Sequence, residues 1–123
     1  MTAHRLAVVG SRACSPAQFS AVMRVLDREA GDATIVTGDA AGVDEAARFW
    51  AHHCGAGAAV VHVADWAAHR DAAGPIRNAA LVADADELVA FVCRHPSRGT
   101  ADAATQARRR GIKVRVLDLT TTA

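Results

Sequence analysis

The residues able to hold or transform an anion fall in five short groups: Gly10-Ser11-Arg12, the run TGDAAGVDEAA over 37–47, Asp65-Trp66, Arg77-Asn78 behind Gly74-Pro75, and Arg98-Gly99-Thr100. In the first, Gly10 lets a backbone approach a ligand while Ser11 and Arg12 supply an oxygen and a cation for phosphate or carboxylate. A tight turn with a solvated arginine has the same composition. In the second, Gly38 and Gly42 stand four residues apart before a helix, so the turn through Asp39 and Ala40 can present N–H groups to an anion or a ribose. Asp44 can accept from sugar hydroxyls; alternatively, Asp44 and Glu45 complement the positive end of the helix dipole. Trp66 can stack on a base or pack as a lid. Arg77 can bind an anion while Asn78 fixes a neighbouring loop, the alternative being an exposed arginine with no partner. Thr100 can cap the helix that follows and, with Gly99, offer N–H donors to phosphate; capping alone also explains it.

Several chemistries are excluded by spacing. The segment SRGT over 97–100 has neither the lysine nor the glycine interval of a triphosphate-binding loop. His52, His53 and Cys54 cluster, but no second pair has zinc spacing, so neither a metal nor a cofactor is expected. No serine sits in a nucleophile-elbow context.

Five apolar segments must carry these groups: RLAVVG (5–10), ATIVTG (33–38), AAVVHV (58–63), ELVAFV (87–92) and IKVRVL (112–117). Each is short and nearly continuous in hydrophobicity, as strands covered on both faces are. Helical spacing lies between them. Phe19, Val22, Met23, Leu26 and Ala30 share one face, behind a start marked by Ser15, Pro16 and Gln18. Val43, Ala46, Ala47, Trp50, Ala51 and Cys54 share another, ended by Gly55. A third helix is predicted from near Gly74 and Pro75 through Leu81, and a fourth after Thr100, stopping before Gly111. Strict alternation of strand and helix predicts a Rossmann-like three-layer α/β/α domain with a mainly parallel five-stranded sheet. In such a sheet ligands bind beyond the carboxyl ends of the strands, where all five groups fall.

The 123 residues, 51% of them hydrophobic, suffice for one core, so residues 1–123 are expected to form a single domain. A net charge of +1 gives no general affinity for polyanions, and nucleic-acid binding would require a local basic patch. Arg108, Arg109 and Arg110 form such a cluster, but at the far end of the last helix, where cations suit the dipole. No stretch approaches the roughly 20 apolar residues of a membrane span. Three cysteines without a CxxC pair suggest reduced thiols, and the expected location is cytoplasmic.

Taken in order, VVGSR, TGDAAGVDEAA, DW, GPIRN and RGTADAATQA resemble the SLOG superfamily of Rossmann-like nucleotide-binding proteins, nearest to its small YspA-type branch. That resemblance implies a nucleotide-like ligand and a homodimer. It also points to two relatives. The "lonely guy" phosphoribohydrolases cleave nucleoside monophosphates with an arginine, matched in placement by Arg77, and a glutamate whose place is taken here by Ala103. Arg77 is thus the candidate catalytic residue, and losing the glutamate removes a contribution often worth two or more orders of magnitude. The DNA processing protein A family shares the GSR, GDAAGVDEAA, RN and GT elements, and its members bind single-stranded DNA. The expectation is therefore a ligand held by Arg12, Arg77 and the Gly99-Thr100 turn, with N-glycosidic hydrolysis and single-strand binding as alternatives.

Overall fold

A computed structural model describes residues 4–94 and 97–122. Five strands, β1 (Arg5–Gly10), β2 (Thr34–Gly38), β3 (Val60–His62), β4 (Glu87–Val92) and β5 (Lys113–Asp118), form one sheet in the order β3-β2-β1-β4-β5. Every pairing is parallel. The helices are α1 (Pro16–Glu29), α2 (Val43–His53), α3 (Trp66–His69), α4 (Ala73–Ala83) and α5 (Arg98–Arg109), with a single 3-10 turn at Arg70–Ala72 after α3.

The strand alternation divides the core in two. Leu6, Val8, Ile35, Val89 and Phe91 point to one face, where Val22 and Leu26 of α1 and Ala46, Ala47 and Trp50 of α2 cover them. Ala7, Val9, Val36, Leu88 and Ala90 point to the other, covered by Leu81 and Val82 of α4 and Ala103 and Ala107 of α5. The three-layer architecture follows from this period-two division of otherwise continuous apolar strands. Only the two outermost strands depart from full cover: β3 and β5 alternate between partly buried and exposed positions, as edge strands do.

Helix α1 begins as its sequence predicts. Ser15 Oγ accepts from Gln18 N at 3.1 Å while Gln18 Oε1 accepts from Ser15 N at 2.9 Å, a complete capping box. Gln18 is buried, and its Nε2 also donates to the carbonyls of Cys93 and Leu119, tying α1 to the ends of β4 and β5. Helix α2 ends at His53, and the Gly55 N–H returns to Trp50 O.

Three boundaries differ from expectation. The third strand is shorter than 58–63, because only Val60–His62 pair with β2. Asp65 and Trp66 do not lie in a loop: Asp65 Oδ1 accepts from Ala68 N at 3.0 Å and caps the extra helix α3. Likewise, Thr100 does not cap α5. Ser97 does, its Oγ accepting from Thr100 N at 3.1 Å and donating to Thr100 Oγ1 at 2.8 Å, so that Arg98, Gly99 and Thr100 form the first helical turn.

These packing roles give a graded test of stability. Leu26 is fully buried beneath α1, and Leu26→Ala is expected to cost about 3 kcal/mol by urea denaturation. Ser15→Ala, which removes one cap, is expected to cost about 1 kcal/mol.

Candidate functional site

The strand order places a switch point between β1 and β4, since the chain leaves β1 toward β2 and crosses to the other side only through α4. Beyond the carboxyl ends of these two strands opens a cavity of about 470 Å³. That volume is within the range of small-molecule sites. Gly10 lies at its floor, α3 and α4 form one wall, and the first turn of α5 forms another. Of the residues expected from sequence, the fold brings together Gly10, Arg12, Ala40, Asp44, Trp66, Arg77, Asn78, Arg98, Gly99 and Thr100 around this space. Ser11, Gly38, Asp39 and Gly42 do not line it and act from behind.

Their roles are structural. Ser11 is buried, with its N–H donating to Phe91 O at 3.2 Å and its Oγ accepting from Cys93 N at 2.9 Å, so the hydroxyl expected for an anion bridges β1 to β4 instead. Two amides of the 38–44 turn also have internal partners: Val43 N donates to Ser11 O at 3.0 Å and Ala40 N to Asp44 Oδ2 at 3.3 Å. Gly42, at φ 75°, passes so close to the carbonyl of Ser11 that no side chain fits. At Gly38 a Cβ would lie 2.5 Å from Asp44 Oδ2 and 2.6 Å from Arg77 Nη1. The missing side chain is thus what lets this carboxylate and guanidinium reach the same place.

Asp44 is 4% exposed, and its Oδ1 has no hydrogen-bond partner. Burial pushes its carboxyl up to about 6, against the opposing influence of the Arg77 charge and the Ala40 N–H. Arg77 is itself fixed, donating from Nη1 to Asp39 Oδ1 at 2.9 Å and from Nε to Asn78 Oδ1 at 3.1 Å. Two of its bonds are therefore committed within the protein. Arg48, one helical turn after Asp44, clasps the same loop through Gly38 O at 2.7 Å and Ala40 O at 3.0 Å.

The α4–α5 wall holds a second carboxylate. Asn78 Nδ2 donates to Gly99 O at 3.1 Å and to Asp102 Oδ2 at 3.0 Å, and Gln106 Nε2 donates to the same Asp102 oxygen at 2.8 Å. Two amides thus orient Asp102, which lines the cavity, while Ala103 is wholly buried in the sheet-facing core. A carboxylate at 103 would enter the hydrophobic layer; the position that faces the cavity is 102. Asp102 is not among the residues expected from sequence, although its spacing of four from Gln106 marks a shared helix face. Nor are Asp71 and Ser97, which line the cavity because α3 and the Ser97 cap are present.

At the mouth, Arg12 and Arg98 are exposed, and among the described residues neither has an ion-pair partner. Trp66, 49% exposed, sits with its ring 3.6 Å from where a Cβ on Gly74 would be. The Arg108 to Arg110 cluster lies at the opposite end of α5, a helix about 18 Å long. No group of three metal-ligating side chains converges among the described residues, and none of the described helices is long and apolar enough to cross a membrane.

The buried carboxylate predicts a pH dependence. Below its unfolded value near 3.8, Asp44 is protonated in both states; between 3.8 and about 6 only the unfolded chain ionises. Its contribution to stability is therefore greatest in acid and falls as pH rises through that window, by up to about 3 kcal/mol at roughly 1.4 kcal/mol per pH unit. Glu29, held low by its hydrogen bond from Arg115, acts in the opposite sense. The difference in unfolding free energy between the wild type and Asp44→Asn isolates the Asp44 slope and is expected to change between pH 4 and 6.

The fold has known counterparts. A family model described as DNA recombination-mediator protein A matches residues 1–113. No curated protein matches the chain. Among solved structures, DNA processing protein A from Streptococcus pneumoniae aligns with a TM-score of 0.75 and 22% identity, over 93% of this chain and 50% of that one. DNA processing protein A from Helicobacter pylori, described for its single-stranded DNA binding mode, aligns with a TM-score of 0.70 and 19% identity, over 94% of this chain and 65% of that one. At such identities the likeness concerns the fold, and this chain spans half to about two thirds of those proteins. By the extent of the family match, the chain belongs to the DNA recombination-mediator protein A family.

Proposed function

We propose that the cavity binds a nucleotide or nucleotide-derived small molecule. The phosphate sits against Arg12, Arg98 and the Arg98 and Gly99 amides at the start of α5, the sugar meets Asp44 and Asp102, and the base lies on Trp66. One observation carries this reading: a single space of about 470 Å³ combines the exposed Arg12 and Arg98 guanidiniums with the Asp44 and Asp102 carboxylates in one lining. Phosphate suits the former. Hydroxyl donors suit the latter, because carboxylate oxygens in the lining can accept from ribose O–H groups. The Arg77 guanidinium, already bonded to Asp39 and Asn78, contributes its charge and its remaining donors to the inner wall.

Single-stranded DNA binding is the second reading, favoured by family membership and by the fold shared with the H. pylori protein. Against it stand three carboxylates, Asp44, Asp71 and Asp102, in the same lining, which repel a continuous phosphodiester backbone.

Thermal shift and calorimetry with AMP, CMP, ADP-ribose and NAD, followed by assay for released base, discriminate these readings. At least one nucleotide is expected to stabilise the protein, by about 2.7 kcal/mol when present at about 100 times its Kd. Arg12→Ala and Arg98→Ala are each expected to weaken that ligand roughly tenfold or more. Base release abolished by both Arg77→Ala and Asp102→Asn would make the site a hydrolase. Absence of any nucleotide effect, together with salt-sensitive oligonucleotide binding lost in the Arg12 and Arg98 variants, would instead establish the DNA reading.

A further inference from the structure

Cys14 and Cys93 are 79 residues apart in sequence, yet their sulfurs are 2.8 Å apart. Cys14 ends the loop from β1 that carries Arg12, and Cys93 immediately follows β4. Neither position is loose. The Cys93 N–H donates to Ser11 Oγ at 2.9 Å and its carbonyl accepts from Gln18 Nε2 at 2.6 Å, while Cys14 Sγ donates to Ser11 O at 3.6 Å. Since a disulfide is about 2.05 Å long, the sulfurs need approach by only about 0.8 Å, within reach of side-chain torsions. Both cysteines line a groove with Arg12, Glu45 and Arg94, but Cys93 is only 2% exposed, so half-buried Cys14 is the more accessible of the two. The third cysteine, Cys54, is exposed at the end of α2, on the opposite edge of the sheet.

We propose that Cys14 and Cys93 are a dithiol–disulfide couple, oxidised by exchange with a low-molecular-weight disulfide, which fastens the Arg12 loop to the carboxyl end of β4. Cys14 loses its proton to solvent and attacks one sulfur of the small disulfide. A Cys14 mixed disulfide forms, and the first small thiolate leaves and takes up a proton. Cys93, deprotonated in turn, attacks the Cys14 sulfur and expels the second small thiol. Two protein thiols are oxidised and one small disulfide is reduced to two thiols, so electrons and protons balance. Burial and then the Cys93 hydrogen bond push the Cys14 thiol up to about 12, so little thiolate is present at neutral pH and the rate rises roughly tenfold per pH unit in the alkaline range. This inference stands independently of the nucleotide reading.

The test incubates the reduced chain with oxidised glutathione, alkylates remaining thiols and maps the peptides. The expected product is a Cys14–Cys93 cross-linked peptide with two of the three thiols lost, no intermolecular link, and a Tm raised by roughly 5 °C or more over the reduced protein. Cys54→Ser is expected to behave as the wild type, and Cys14→Ser to form no internal link. If Cys14→Ser does not fold, the wild-type peptide map decides alone. Stable glutathione adducts on Cys14, or dimers linked through Cys54 while Cys14 and Cys93 are both alkylated, would overturn the proposal.

Discussion

The buried Asp44 carboxylate, with the Arg77 guanidinium pressed against the same bare face of Gly38, is the contact on which the geometry of the site depends. A carboxylate out of water favours its neutral form unless charge and hydrogen bonds compensate. Here the compensation is partial. One oxygen accepts from Ala40 N–H and the other has no partner, while Arg77 divides its donors between Asp39 and Asn78. From Asn78 the same chain of bonds runs to Gly99 and Asp102, so the loop after β2, helix α4 and the start of α5 are fixed relative to one another by four polar side chains.

This arrangement is possible because β1 and β4 pair while their connections diverge to opposite layers. Divergence leaves a crevice beyond the strand ends, and the first turn of α5 lines it. Ser11 closes the base of the crevice by bonding to both Phe91 O and Cys93 N, which keeps the adjoining Arg12 at the cavity and Cys14 beside Cys93. Arg12 at the cavity and Cys14 beside Cys93 thus share one structural origin, the short β1–α1 loop, against which Gly42 and Val43 pack just ahead of the buried acid.

The sheet was legible because its signal is redundant: five β-branched runs and two periodic helices, the first with a complete capping box, agree on one architecture. The collection of distinctive residues on one edge was legible for the same reason, since it requires only the order of strands and helices. What escaped was pairwise. Which donors are spent internally, as with Ser11 and Ala40, depends on distances between segments far apart in sequence. The start of α5 was misplaced by three residues because Ser97 and Thr100 are both good caps, and only the observed Ser97 acceptance distinguishes them. Helix α3 has four residues and no apolar periodicity to announce it. The exchange of Ala103 for Asp102 as the cavity-facing position likewise turns on helix phase, which a shift in the starting residue alters.

Two tryptophans make a direct measurement of the central claim possible. Trp66 stands at the cavity, whereas Trp50 is buried against the other face of the sheet with its indole N–H donating to Asp27 Oδ1 at 2.7 Å. In an NMR titration with AMP and ADP-ribose, nucleotide binding at the cavity is expected to shift the Trp66 indole and Asn78 side-chain amide resonances while leaving the Trp50 indole in place. Shifts confined to residues outside the cavity, or no shift of Trp66 and Asn78 at saturating nucleotide, would contradict the account.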